Sequence, residues 1–181
     1  MLGNYGPMPG MGGSGSGGGG VSGMTLEQAL SRVQLAQKNG DRKNEAIHRL
    51  IMGKIFLESG CSGEALREAQ QALSLFREIK NTIGEASCQL LAGQIHYLEG
   101  KFPLALKTFE EAMAIYKRFG DQAGQALVHS ALAAVYFDNP AGQDMNKVTK
   151  HLNEAIFLYQ KVGDYQSRQS AIQTLKMCQG S

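Results

Sequence analysis

The chain has 181 residues, and its 18 Lys and Arg residues against 16 Asp and Glu residues give a formal net charge of +2. These charges are interspersed without a basic run, which argues against the phosphate-binding surface typical of nucleic-acid and membrane-surface proteins. No apolar stretch reaches the roughly 18 residues that a membrane span requires, and the N-terminus lacks the basic start and apolar segment of a signal peptide. We therefore expect a cytoplasmic protein whose partners are proteins or peptides, with no nucleic-acid binding and no membrane insertion.

The beginning of the chain is predicted to be a disordered tail. Residues 1–23 consist mostly of glycine, with serine and two prolines, and such a composition buries too little apolar area to order a chain. Residues 24–179 are long enough for one domain with a sizeable core. The cysteines are odd in number and lack CxxC spacing, so we expect reduced thiols and not a disulfide framework. They are Cys61, Cys88 and Cys178.

The first predicted helix follows the tail and covers about residues 24–39. Thr25 and Gln28 have the spacing of a capping box, in which each side chain accepts a hydrogen bond from the backbone N–H of the other residue. Arg32 stands where later helices of the same type carry alanine. Because a long charged side chain there prevents the close approach of a preceding helix, we expect this helix to open the array.

The second predicted helix belongs to a series, called type A, that recurs at residues 46–56, 86–96 and 126–136. Each has a small residue at one matching position and a ring three residues later. The small residue permits close approach of two backbones, and we expect the ring to fill the space beside it. In the type A stretch at residues 86–96 this ring is the imidazole of His96, which we expect to be a core group with a hydrogen-bond partner. The small residues are Gly53, Gly93 and Ala133, and the rings are Phe56, His96 and Tyr136.

Helices of a second type, called type B, alternate with type A at residues 62–79, 102–119 and 145–162. They align at offsets of 40 and 43 residues, and their apolar residues recur at helical spacings of three and four. Each is therefore predicted to be one amphipathic helix. The matching sets are Ala65, Ala105 and Val148, then Ala69, Phe109 and Leu152, then Ala72, Ala112 and Ala155, then Phe76, Tyr116 and Tyr159.

A Gly-Asp step separates a type B helix from the next type A helix. Glycine adopts the left-handed conformation that ends a helix, and aspartate caps the helix that follows. The step is missing at Lys80-Asn81. There we expect Asn81 to adopt the left-handed conformation, and Thr82 with Glu85 to form a capping box. The three complete steps are Gly40-Asp41, Gly120-Asp121 and Gly163-Asp164.

The predicted fold is all-α, with about eight helices and no strand signal. The last helix, of type A, covers about residues 164–178 and has polar residues around its apolar face, as expected of a helix that caps an array. Antiparallel helix pairs on a fixed period cannot each bury an apolar face alone. We therefore expect them to stack into an α-solenoid.

The pattern resembles the tetratricopeptide repeat family over nearly all of residues 24–178. The 40-residue period is similar to the long-helix variety found in Pins/LGN-type polarity adaptors, rapsyn and kinesin light chain. The resemblance implies a right-handed α-solenoid of antiparallel helix pairs. Ala69 departs from the usual bulky site, and an imidazole replaces one of the usual aromatic rings. The residues that carry the resemblance best are Gly93, His96, Gly100, Ala105, Phe109 and Ala112.

The resemblance implies a protein-binding scaffold or adaptor that holds a partner peptide or helix in a concave groove lined by type A helices. One alternative is a structural subunit of a larger multiprotein assembly, docked through the convex face and the 138–146 loop. An enzyme or enzyme regulator is the other alternative, but no catalytic residue and no cofactor is predicted. No metal site is predicted either, because no histidine has ligands at metal-binding spacing close by. The histidines are His48, His96, His129 and His151.

The repeat register also predicts which side chains face the groove. Lys54 is the one charged residue among them, so the basic clamp with which chaperone-binding members of the family grip a C-terminal carboxylate is not expected. An amphipathic helix or an extended apolar peptide suits the surface better. Tyr97 and Phe137 are predicted as aromatic anchors, with Lys54 and Gln94 holding the partner's backbone or an acidic group. The predicted groove residues are Ile47, Leu50, Lys54, Leu57, Ser87, Leu90, Gln94, Tyr97, Leu127, Ser130, Ala134 and Phe137.

Overall fold

The computed structural model describes residues 23–179, and its regular secondary structure there is α-helical. The tail at residues 1–22 lies outside the described residues. The all-α prediction is confirmed, because the described residues form eight α-helices. They are α1 (Leu26–Lys38), α2 (Arg42–Glu58), α3 (Ser62–Glu78), α4 (Thr82–Leu98), α5 (Phe102–Phe119), α6 (Gln122–Asp138), α7 (Met145–Val162) and α8 (Tyr165–Gln179).

The helices belong to two compact units. The N-terminal unit contains α1 to α5 in residues 23–119, and the C-terminal unit contains α6 to α8 in residues 120–179. Within each unit, helices that follow one another in the chain pack together, and α2 also contacts α4. This packing of consecutive helix pairs is that of a tetratricopeptide-like repeat. None of the helices in residues 23–179 is both long enough and apolar enough to cross a membrane.

The Gly-Asp steps have the conformation that the sequence predicts. Gly40 has a φ angle of 68°, in the left-handed region, and Gly120 and Gly163 have similar values. The carboxylate of Asp41 accepts a hydrogen bond from the backbone N–H of Asn44 at 3.0 Å. Asp121 accepts the equivalent bond from Gly124 at 2.9 Å. Each step therefore ends one helix and caps the next.

The prediction for the deviant step was wrong by one residue. Lys80 has the left-handed φ angle of 56°, and Asn81 caps α4 by accepting a hydrogen bond from the N–H of Gly84 at 2.9 Å. The register of the turn is thus kept, with lysine in the place of glycine and asparagine in the place of aspartate. A left-handed residue with a Cβ atom costs about 1–2 kcal/mol. The box at Thr25 and Gln28 is confirmed.

The core of the N-terminal unit depends on glycines that face large side chains. A Cβ atom added to Gly93 would lie 2.5 Å from Cε1 of Phe109, so the ring of α5 lies directly on the backbone of α4. The ring beside Gly93 is therefore Phe109, and not His96 as the sequence predicts. His96 is partly buried, and its Nδ1 lies 3.9 Å from the carboxylate of Glu99, which is an ion-pair distance and too long for a hydrogen bond.

In the first repeat, a different side chain packs against the glycine of the type A helix. Ala69 stands where α5 has Phe109, so no ring reaches Gly53. A Cβ atom added to Gly53 would instead lie 2.8 Å from Cδ2 of Leu91 and 3.2 Å from the carbonyl oxygen of Ala65. Leu91 is fully buried. A leucine from the next type A helix thus fills the space that the missing ring leaves.

A buried carboxylate joins α1, α2 and α3. Glu45 is 4% exposed and accepts hydrogen bonds from Gln37 at 2.9 Å and from Arg49 at 3.1 Å. Arg49 also pairs with Glu68 of α3 at 3.0 Å. Burial raises the pKa of Glu45, but the hydrogen bonds from Gln37 and Arg49 and the charge of Arg49 outweigh it and leave the pKa below its usual value.

Candidate functional site

The predicted groove residues of α2 lie on one face because they are spaced by three and four. Leu50 is 9% exposed and belongs to the core of the N-terminal unit, where it packs with Ala46 and Leu91. Ile47 and Leu57 are partly buried and pack against the same core. The accessible apolar surface of this face therefore comes from Ile47 and Leu57, and Leu50 supports it from below.

Lys54 is the charged residue of this face. Its side chain is partly buried, and burial lowers the pKa of its ammonium group, an effect only partly offset by Glu58 and, when its thiol is ionised, by Cys88. Burial also raises the pKa of the Cys88 thiol to about 12, so this neighbour stays protonated. Among residues 23–179, Lys54 forms no ion pair within 4.0 Å. Its charge is therefore desolvated without a direct anionic partner in the described chain.

The predicted groove residues of α4 are less accessible than those of α2. Leu90 is 5% exposed, and Tyr97 is 6% exposed. The Tyr97 ring packs edge to face against Phe102, with ring centroids 6.2 Å apart. Gln94 is partly buried. Tyr97 therefore offers little surface to a partner, because its ring joins α4 to the start of α5.

Two predicted groove serines instead bond to tyrosines of the next type B helix. The hydroxyl groups of Ser87 and Tyr116 lie 3.1 Å apart in the N-terminal unit, and those of Ser130 and Tyr159 lie 3.2 Å apart in the C-terminal unit. Each pair is separated by 29 residues. This constant separation is a signal in the sequence that the prediction missed. The serine hydroxyls fix the tyrosine rings in the core.

The other groove residues of α6 differ strongly in exposure. Leu127 is 43% exposed, whereas Ala134 is 1% exposed. Phe137 is partly buried and packs against the core cluster that contains Ala133 and Val148. In the C-terminal unit, Leu127 is therefore the most accessible apolar residue of the predicted face.

The structure also joins two histidines that the sequence treats as unrelated. The Nδ1 atoms of His129 and His151 lie 2.8 Å apart, and His151 stacks on Tyr136 with ring centroids 5.6 Å apart. Burial, followed by the charge of His129, lowers the pKa of His151 to about 4. The described residues contain no group of three or more His, Cys, Asp or Glu side chains placed to hold a metal ion. His151 is therefore neutral at pH 7 in this contact between α6 and α7.

Comparison with known proteins identifies the repeat. Residues 44–118 match the family model of the tetratricopeptide repeat, and no curated protein matched the chain. The matched residues contain the two glycines packed against Leu91 and Phe109, the left-handed turn at Lys80 and the cap at Asn81. Repeats of this family generally mediate contacts between proteins. The sequence match and the helix packing lead to the same conclusion: the chain contains tetratricopeptide repeats within residues 44–118.

Proposed function

We propose that this protein is a non-catalytic scaffold or adaptor that binds a segment of a partner protein along the type A helices of its N-terminal unit. The family supports protein binding in general. The mode of binding is supported by the face of α2 that carries Ile47, Lys54 and Leu57. The cytoplasmic location and the long-period variety of the repeat stay predictions from the sequence.

The single observation that carries this proposal is the partial burial of the Lys54 side chain without an ion pair within 4.0 Å among the described residues. Removing an ammonium group from water costs free energy unless an anion or hydrogen bonds compensate for it. Lys54 lies partly buried on the predicted groove face, and burial lowers its pKa. A carboxylate of a partner that docks beside it would compensate this cost. The geometry therefore favours a partner segment with an acidic residue.

The apolar neighbours define the rest of the partner's chemistry. Ile47 precedes Lys54 by two helical turns, and Leu57 follows it by one turn, so both lie on its face. Both are partly buried, with the remainder of each side chain accessible. A partner segment with apolar side chains on either side of an acidic residue would match this order. We propose Ile47 and Leu57, in place of the buried Tyr97, as the apolar contacts of α2.

Selection of peptides from a random library on the full chain, followed by affinity measurements on variants, tests this function. We expect Lys54→Met to weaken the selected peptides about tenfold or more, since a hydrogen bond to a charged group contributes roughly 1.5–3 kcal/mol. The variant should fold at least as stably as the wild type because it removes a desolvated charge. Glu110→Gln, on the exposed surface of the type B helix α5, is the matched control and should bind normally.

A different pattern of losses would overturn the proposal. If the selected peptides bind Lys54→Met and Leu57→Ser as tightly as they bind the wild type, the type A face of α2 is not the interface. If they are instead lost when the 138–146 loop is replaced by a short glycine-serine linker, the alternative role as a structural subunit explains the data better.

A further inference from the structure

A pocket of about 470 Å³ lies at the turn between α3 and α4. This volume falls within the roughly 300–1,000 Å³ of typical ligand pockets. Its apolar lining comes from Ile79, Ile83 and Phe119. Ile83 is 39% exposed and Phe119 is 49% exposed, so the pocket presents apolar surface that the N-terminal unit does not itself cover.

The charged residues that line this pocket are both cationic, and Asn81 and Thr82 add neutral polar groups. Lys43 and Lys80 both line it, and both side chains are exposed. In residues 23–179 neither lysine pairs with a carboxylate within 4.0 Å. Asp41, two residues before Lys43, caps α2 and also feels the charge of Lys43, and Glu78 pairs with Arg42 at 3.6 Å. The pocket therefore combines two lysines that form no ion pair within 4.0 Å with an apolar lining.

The positive charge arises from the one turn that departs from the Gly-Asp step. At the other steps, glycine is neutral and aspartate carries a negative charge. Here lysine and asparagine replace them, so the local formal charge is two units more positive. Lys80 adopts the left-handed conformation at a φ angle of 56°, which glycine would adopt without a steric cost. The lysine therefore places its charge at the pocket at the expense of backbone strain.

The pocket lies at one end of the face proposed above. Lys43 precedes Ile47 by four residues, and Ile83 precedes Ser87 by four, so both continue the predicted groove face by one turn toward the start of each helix. Eleven residues separate Lys43 from Lys54, which is about 16 Å along an α-helix. The pocket and Lys54 can thus be tested separately.

We propose that this pocket docks an acidic segment of a partner protein, with one apolar side chain against Ile83 and Phe119 and its carboxylates beside Lys43 and Lys80. The charges of the two lysines, neither of which forms an ion pair within 4.0 Å among residues 23–179, favour an acidic occupant. The exposed parts of Ile83 and Phe119 favour a segment that also carries one apolar side chain. This inference rests on the proposed function only in taking a protein segment as the ligand.

The test uses the full chain, labelled with nitrogen-15, and the peptide Glu-Asp-Phe-Asp-Glu, which is acetylated and amidated so that it has no terminal carboxylate. When the peptide is titrated into the protein, we expect the largest changes in the protein's backbone amide chemical shifts at residues 43 and 79–83, as measured by nuclear magnetic resonance. Lys43→Ala and Lys80→Gly should each weaken binding about two- to fivefold, the size expected for one exposed ion pair. Added salt should weaken it further because it screens exposed charges.

Lys80→Gly is the decisive variant because it separates binding from folding. It removes the ammonium group and also relieves the left-handed strain, so its melting temperature should rise while its affinity falls. Lys107→Ala removes an exposed lysine of α5 that does not line the pocket and should bind normally. Equal affinity of Lys80→Gly and the wild type, or an equal loss in Lys107→Ala, would overturn the inference.

Lys54→Met separates this inference from the proposed function. The short peptide cannot span about 16 Å while its phenylalanine occupies the pocket, so its affinity for Lys54→Met should match that for the wild type. If Lys80→Gly has no effect while Lys54→Met still weakens the library-selected peptides, the pocket is not a docking site but the type A face remains the interface.

Discussion

Replacing Gly93 by alanine tests the packing that defines the repeat. The added Cβ atom would lie 2.5 Å from Cε1, 2.6 Å from Cδ1 and 3.1 Å from Cζ of Phe109, whereas carbon atoms in contact lie about 3.5–4.0 Å apart. Phe109 is fully buried, so its ring has no free space to enter. The substitution must therefore push α4 and α5 apart or force the ring out of its rotamer.

The expected magnitude follows from two opposing effects. Overpacking of a filled core costs about 1–3 kcal/mol and sometimes more, while alanine favours a helix interior over glycine by about 1 kcal/mol. Since three ring atoms come too close at once, we expect the steric cost to win and the free energy of unfolding to fall by about 1–2 kcal/mol. In a chain of this length, that corresponds to a melting temperature lower by roughly 2–8 °C.

Thermal and urea unfolding followed by circular dichroism measure this change, and a second glycine supplies the control. Gly63 lies in α3 with no atom within 4 Å of an added Cβ, so Gly63→Ala should be neutral or stabilising by up to about 1 kcal/mol. In the Phe109→Leu background, Gly93→Ala should cost less than in the wild type, because the smaller side chain leaves room. A Gly93→Ala protein that melts at or above the wild type would refute the packing argument.

Three further changes have predicted outcomes. The folded state resists protonation of His151 between its ordinary pKa of 6.5 and its folded value of about 4. Stability should therefore fall by roughly 1–2 kcal/mol, after a discount for partial exposure, as pH drops from 7 to 4, and urea melts should show this loss reduced in His151→Gln. Ala112→Arg should lower the free energy of unfolding by about 3 kcal/mol or more, because the site is fully buried. Arg32→Ala, on an exposed site, should leave the stability unchanged. Equal losses of stability in the two variants would contradict the difference in burial. Glu45→Ala should cost about 1–3 kcal/mol, because Gln37 and Arg49 each lose a hydrogen-bond acceptor while Arg49 keeps its pair with Glu68. A loss below about 1 kcal/mol in urea would show that the network contributes little.

The helices and most turns could be predicted because they depend on local sequence. A glycine followed by aspartate determines a helix end and a helix start by backbone conformation and capping alone, as at Gly40 and Asp41. The step at Lys80 was mispredicted because asparagine's own tolerance of the left-handed region was given more weight than the register of the repeat. The structure shows that the repeat register determines which residue is left-handed. Lys80 takes the place of glycine, and Asn81 takes the capping role that aspartate has elsewhere.

The candidate site could be predicted only in part, because register assigns a side chain to a face but not to a depth. Lys54 and Leu50 share one face of α2, yet Lys54 is only partly buried and Leu50 is buried in the core. Tyr97 is covered by Phe102, a contact that depends on where α5 begins. The contact between His129 and His151 likewise depends on how α6 and α7 pack.

Two of the three cysteines, Cys61 and Cys88, provide chemical reporters of the motions of the N-terminal unit once Cys178 is replaced by serine. Cys61 is exposed at the start of α3, whereas Cys88, a residue of α4, is buried in the core that α4 shares with α2 and α3. The thiolate is the reactive form of cysteine, and burial raises the pKa of Cys88 to about 12. At neutral pH an alkylating reagent should therefore label Cys61 quickly and reach Cys88 only when the N-terminal unit opens locally. The slow phase of alkylation then measures how often α2 and α4 separate, and a ligand that holds these two helices together would lengthen it.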